Sequence, residues 1–333
     1  MNRNNAIDIS KGIGIFLVIW AHTICPFRAQ IYIFHMPLFF LVSGFLFNNR
    51  DTVKTTFIKK IKSLLIPFVF FVILQRVGFI LVYLIGGTFK SSYLLLWNPV
   101  PVRGVLGVLW FILALFLVTI IYSLINRLRS YFLIFLASFL ASLAGYLLYR
   151  YKISLPMHID ASLSMMLFFF VGNFLARTDT ERVGPVRNWA LLSAASVIIF
   201  IVVTKFYLPD INIVNNVIEG NFLLSTGLIL LGCLMVLINS KLLNYVPIIN
   251  NALAYLGRNS LTIYATHTFI LEAVYLVYPR KSVTTWGGVI ISLLILGLCL
   301  LLNIGLQKYF PFVFGKKDIL AGIFKPREIK VKG

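Results

Sequence analysis

The chain has 333 residues, of which 60% are hydrophobic and 12% charged, and its mean hydropathy is +0.94. That balance excludes a soluble globular domain, because repeated apolar stretches of about twenty residues are the mark of a polytopic helical membrane protein. The formal charge of +20 would suggest nucleic acid in a soluble protein; here the cations flank apolar stretches, so membrane orientation and anionic headgroups account for them.

The polar start, MNRNNAIDIS, lacks the pattern of a cleavable signal peptide and leads into the first apolar run. Ten spans are expected, at 9–27, 30–48, 63–86, 104–126, 131–149, 159–176, 188–208, 221–239, 258–278 and 284–307. The stretch 242–257 is broken by Pro247 and Asn250–Asn251, and is expected to lie at the interface or to re-enter. Lys and Arg crowd the ends of alternate spans on the side of the N-terminus, which predicts that both termini are cytoplasmic. The fold class is therefore an all-α polytopic membrane protein: one membrane domain over 1–310 and a short basic cytoplasmic tail over 311–333. No internal repeat is evident, which disfavours a transporter built from duplicated halves. Cys25, Cys233 and Cys299 match no metal spacing and read as small buried residues, so no metal site is expected.

The most informative stretch is Lys11 to Phe47, two apolar helices joined by a short polar turn. Lys11 and His22 are eleven residues apart, close to three full turns, which places them on one face about 16 Å apart along the axis. Asp8 shares that face; it is either a cap at the helix start or part of a polar stripe. His35 follows the turn on the antiparallel neighbour, at a depth similar to His22. Ionisable groups inside a membrane are costly and point to function. A histidine there can take a proton from a hydroxyl, or carry an acyl group as a nucleophile. His35 or Arg76 would then supply a donor to a developing oxyanion.

Further along, the segment Arg50 to Lys62 gathers cations in either an ordinary cytoplasmic loop or a site for an anionic ligand such as the phosphates of coenzyme A. Lys59 and Lys62, three apart, share a helix face. No Walker A or dinucleotide fingerprint occurs, which argues against a nucleotide-driven pump. Ser260, Tyr264 and His267 form one helical stripe, with His267 expected near mid-membrane and Glu272 nearer the outside. Trp110 is a core or interface anchor, His158 a loop histidine, and Asp160 a cavity-lining acid. Ser43–Gly44 reads as close helix packing.

These residues carry a family resemblance. IDISKGIGIFLVIWAH with its Lys-x10-His spacing, FHMPLFFLVSGFLF, the basic KKIKSLLIPF, LWFILALF around Trp110 and LGRNSLTIYATHTFI occur in the order found in the acyltransferase-3 family. The chain is similar to that family's fucose 4-O-acetylase-like branch from residue 7 to about 270. The resemblance implies ten spans, cytoplasmic termini and a place in the bacterial inner membrane. It also implies transfer of an acyl group, usually acetyl from cytoplasmic acetyl-CoA, to a sugar hydroxyl of an envelope or exported polysaccharide or its lipid-linked precursor. On this pattern His22 is the catalytic histidine, Lys11 takes a position held by Arg or Lys, and Lys59 and Lys62 stand in the family's basic RxxR-like element. The residues themselves add His35 and Lys11 as catalytic candidates, Lys59, Lys62 and Lys11 as candidates for holding the donor, and Arg76, Asp160, Tyr264, His267, Glu272 and Trp110 as candidates for the acceptor cavity. Acetyl-CoA is a substrate here, and no permanent cofactor is expected. The alternative is a transporter or flippase for a glycan or small anion, with histidines relaying protons.

Overall fold

In lipid, a backbone is satisfied only inside helices or a closed barrel. The computed structural model describes residues 5–87, 107–178 and 186–315, and these are helical apart from turns and one pair of two-residue strands. In chain order the helices are α1 (Asn5–His22), α2 (Arg28–Phe45), α3 (Val53–Lys60), α4 (Ile66–Ile85), α5 (Trp110–Ile125), α6 (Tyr131–Arg150), α7 (Ile159–Ser164), α8 (Met166–Leu175), α9 (Val186–Phe206), α10 (Phe222–Leu243), α11 (Pro247–Arg258), α12 (Ser260–Val277) and α13 (Thr285–Tyr309). A π-helical turn, Ile61–Leu65, joins α3 to α4.

Among the described residues, seven helical stretches are long and apolar enough to cross a membrane, and α7 with α8, bent by 51°, make an eighth if taken as one span. The first two expected spans, α1 and α2, fall outside that set. Asp8, Ser10, Lys11 and His22 dilute the apolar run of α1, as Arg28, Gln30 and His35 do in α2. Both helices are walled by protein: α1 touches α2, α10, α11, α12 and α13. A helix apolar on most sides belongs in the interior of a bundle, and here the interior helices also carry the polar residues.

Small residues set the closest approaches, as expected where lipid leaves helices to associate by packing. A β-carbon on Gly12 would collide with the Leu253 carbonyl, and one on Gly257 with the Asp8 carbonyl. The stretch expected at the interface is thus α11, packed along the N-terminal half of α1. Its 12 residues span only about 18 Å, too short to cross. Gly44 meets the Phe169 carbonyl in the same manner, binding α2 to α8 and fitting the close packing expected of Ser43–Gly44. Packing also continues past residue 310: Phe310 and Phe312 lie 5.0 and 6.1 Å from the Phe70 ring, and Val313 is buried. The rest of the expected tail, from 316, lies outside the described residues.

Between α9 and α10 a small hairpin, β1 (Ile211–Asn212) and β2 (Val217–Ile218), pairs Ile211 with Ile218 and Asn212 with Val217. It is pinned to the bundle from beneath. Asn216, buried and in the left-handed region at φ 52°, accepts from Ser164 Oγ at 2.7 Å and donates to the Gly145 carbonyl at 2.8 Å. Tyr146 donates to the Gly220 carbonyl at 2.6 Å, and His158 Nδ1 lies 3.2 Å from the Val214 carbonyl.

Candidate active site

The end of α1 brings His22 to the same point in the bundle as His35 of α2 and His267 of α12. Thr23 holds that end in place through the Gly288 carbonyl of α13, at 3.1 Å. His22 and His267 meet edge-on with ring centroids 5.1 Å apart. Tyr32 lies between His22 and His35, 6.4 and 4.8 Å from their rings. His267, expected deeper than His22, therefore stands beside it.

All three rings are held the same way. Nδ1 of His22 is 2.8 Å from the Val18 carbonyl, that of His35 2.9 Å from Ile31, and that of His267 2.7 Å from Tyr264. A carbonyl oxygen only accepts, so Nδ1 carries the proton in each ring and Nε2 of the neutral ring is a bare lone pair. Such a nitrogen is a base or nucleophile. It donates to an oxyanion only after it has taken a proton, so the donor role expected of His35 requires its imidazolium form. The Nε2 of His267 is buried without a hydrogen-bond partner among the described residues.

Three cavities follow one another along α2. The outermost, about 70 Å³, is lined by His22, Tyr32, His35, Trp110, Tyr264 and the hairpin residues Ile211 to Val214, among others. The middle one, about 170 Å³, includes Lys11, Ser43, Ser260, Phe111 and Tyr264. The third, about 370 Å³, is walled by Leu46 to Asn48, Asp51, Thr56, Lys59, Lys60, Lys62 and Ser63. Tyr264 belongs to both the first and the second, and its hydroxyl donates to the Val108 carbonyl. The π turn joins the second to the third, since Leu64 lines one and Ser63 the other. Wide turns of this kind recur at functional sites.

The sequence-predicted residues divide accordingly. His22, His35, Trp110 and Tyr264 share the outer cavity, whereas His267 backs His22 without lining it. Lys11 does not reach the histidines; it pairs with Asp8 at 2.7 Å and lies on the far side of Tyr264. Asp8 is not a cap, because α1 already runs from Asn5. Lys59 and Lys62 share the third cavity, with Lys59 chelated by both Asp51 oxygens at 2.8 and 2.9 Å. Arg76 is half-buried on α4 and lines none of these cavities; its neighbour Gln75 faces inward and donates to Thr268 at 2.9 Å. Glu272 is exposed, so it is not a cavity residue. Asp160 is buried on α7 and accepts from the Ala161 amide at 3.0 Å, away from the histidine cavity. His158 is no loop histidine: it is fully buried against Trp110, 5.6 Å between rings.

Three contributors went unrecognised in the sequence. Tyr32 was discoverable, lying three residues before His35 on the same helix face. Lys60 sits between residues that were chosen. Asn212 lies in a linker whose pairing no local signal announces.

The acyltransferase domain of the acyltransferase-3 family matches residues 4–304. The nodulation protein NolL of Sinorhizobium fredii (strain NBRC 101917 / NGR234) is 29% identical over 149 residues, which is 40% of this chain and 40% of that protein's length. No solved structure matches. A family match running from residue 4 to residue 304, on a bundle of helices long enough to cross a membrane, makes the chain a multi-pass membrane acyltransferase that belongs to the acyltransferase-3 family.

Proposed function

We propose that this acyltransferase moves an acetyl group from cytoplasmic acetyl-CoA to a sugar hydroxyl of a cell-envelope or exported polysaccharide, or of its lipid-linked precursor. It would sit in the bacterial inner membrane with both termini cytoplasmic. The observation that carries this reading is the alignment of three cavities on α2, from the lysines to the histidines. His35 and Asn48 are thirteen residues apart in sequence, which is roughly 20 Å at the helical rise, a distance the pantetheine arm of coenzyme A bridges. Lys59, Lys60 and Lys62 offer cations to the phosphates, Lys11 and Ser43 line the passage, and the thioester arrives beside Tyr264.

In direct transfer, Nε2 of His22 accepts the proton of the sugar hydroxyl while its oxygen attacks the thioester carbonyl carbon. The carbon–sulfur bond then breaks, and the imidazolium returns the proton to the departing sulfur. The products are the acetylated sugar and free coenzyme A thiol. In the relay form, Nε2 itself attacks the carbonyl carbon, and the carbon–sulfur bond breaks to expel coenzyme A as a thiolate. The acetyl-imidazolium passes its acyl group to the sugar oxygen, whose proton ends on the thiolate sulfur as the imidazole is restored. His35 and His267, both with bare Nε2 atoms, are acceptors for the proton in transit.

The test is incubation of membranes bearing the native chain with radiolabelled acetyl-CoA and extracted envelope glycan. Label entering the glycan supports the reading, and label staying with coenzyme A while the folded protein fails to bind acetyl-CoA sinks it. A burst of one acetyl per protein before acceptor is added selects the relay form.

A further inference from the structure

We propose that Asn212 is the acceptor-specificity residue of the outer cavity, holding a hydroxyl of the incoming sugar next to the one that reacts. This deepens the acetyltransferase reading and rests on it.

Most of the donors lining the outer cavity are already used: His22 and His35 spend their Nδ1–H groups on backbone carbonyls, and Tyr264 spends its hydroxyl on Val108. The Tyr32 hydroxyl accepts from Arg28 at 3.2 Å, which leaves it a single O–H to give. Asn212, by contrast, is half-buried in the cavity wall and its carboxamide makes no hydrogen bond to any described residue. A primary amide has two N–H donors and an accepting oxygen, which matches a pair of neighbouring sugar hydroxyls. Trp110, on the adjoining wall, adds the flat apolar face on which a sugar ring rests.

Position assigns the residue to the acceptor and not the donor. Asn212 comes from the hairpin between α9 and α10, which lines the histidine cavity but neither the Lys11 cavity nor the cavity of Lys59, Lys60 and Lys62. The hairpin is also rigid. Asn216 ties it to α6 and α7, Tyr146 holds its end at Gly220, and His158 bonds Val214 while its ring lies tilted against Trp110. The same buried histidine thus contacts both the turn that follows Asn212 and the Trp110 indole of the same cavity. A hydrogen bond from a side chain so held costs little ordering when the sugar binds. Recognition of this sort rejects an acceptor that lacks the matching hydroxyl, because the amide would be left unpaired.

The experiment compares the native chain with Asn212→Ala, using benzyl glycosides of common envelope hexoses and their singly deoxygenated analogues as acceptors and radiolabelled acetyl-CoA as donor. Thermal unfolding in detergent is measured beside it. The native chain is expected to lose about tenfold in kcat/KM when one particular hydroxyl, not the acetylated one, is missing. Asn212→Ala is expected to lose the same factor on the full sugar, through KM for the acceptor, and to lose nothing further on that deoxy analogue. Its KM for acetyl-CoA and its unfolding temperature should match the native chain. An Asn212→Ala chain that still discriminates the deoxy analogue overturns the proposal while leaving the transferase reading intact. A native chain that acetylates none of the glycosides and no extracted glycan overturns both.

Discussion

His22 and His267, from opposite ends of the chain, place their imidazoles edge to face with 5.1 Å between centroids, and each is oriented by a carbonyl of its own preceding turn. On the proposed mechanism, this pair of rings with bare Nε2 atoms holds and passes the proton in transit.

Replacement of His267 tests that function separately from packing. A buried nitrogen without a partner contributes nothing to stability, so His267→Phe is expected to unfold at or above the native temperature. Acetyl transfer should nonetheless fall by roughly a hundredfold, within the range for a lost acid–base group. Native rates in a folded His267→Phe chain would reduce this residue to packing.

Tyr264 partitions the lysine-lined passage from the histidine cavity. Tyr264→Phe keeps the ring and loses only the tie to Val108, and should retain most transfer. Tyr264→Ala merges the two cavities, and should admit water to the thioester. The expected sign is acetyl-CoA hydrolysis without acceptor, read as released thiol, together with poorer transfer to sugar.

The basic cavity gives a prediction with two opposite signs. Lys60→Gln with Lys62→Gln should raise KM for acetyl-CoA about tenfold, with a smaller effect at high salt. Asp51→Asn should lower it by up to about fivefold, since it frees Lys59 from a weak exposed ion pair. Titration of binding at two salt concentrations checks both.

Close approach of α1 and α11 predicts a purely structural effect. A valine at Gly12 must push against the Leu253 carbonyl, which costs about 1–3 kcal/mol. Gly12→Val should therefore lower the unfolding temperature, whereas Gly227→Ala, in open space, should not.

Apolar runs and their spacing made the helices legible, and even the odd stretch 242–257 was recognisable as too interrupted to span. Periodicity also placed Lys11 and His22 on one interior face. What it lacks is the phase and height of one helix against another. The height of His267 was measured from Arg258, but Arg258 closes the short helix α11 and marks no membrane boundary of α12, so the residue stood too low. Glu272, expected among the cavity residues, is turned outward by its helix, a rotation that sequence spacing does not fix. Lys11 and His22 share a face yet not a cavity, because Tyr264 from a distant helix comes between them. The hairpin that roofs the histidines depends on Asn216 bonding to α6 and α7, a long-range contact invisible to local pattern.

The most direct measurement is radiolabelled acetyl transfer to envelope glycan by membranes carrying the native chain or His22→Ala, at matched amounts of folded protein. Label in the glycan with the native chain and its loss with His22→Ala, with acetyl-CoA binding kept, is the expected result. Equal label from the two chains would contradict a chemical centre at His22.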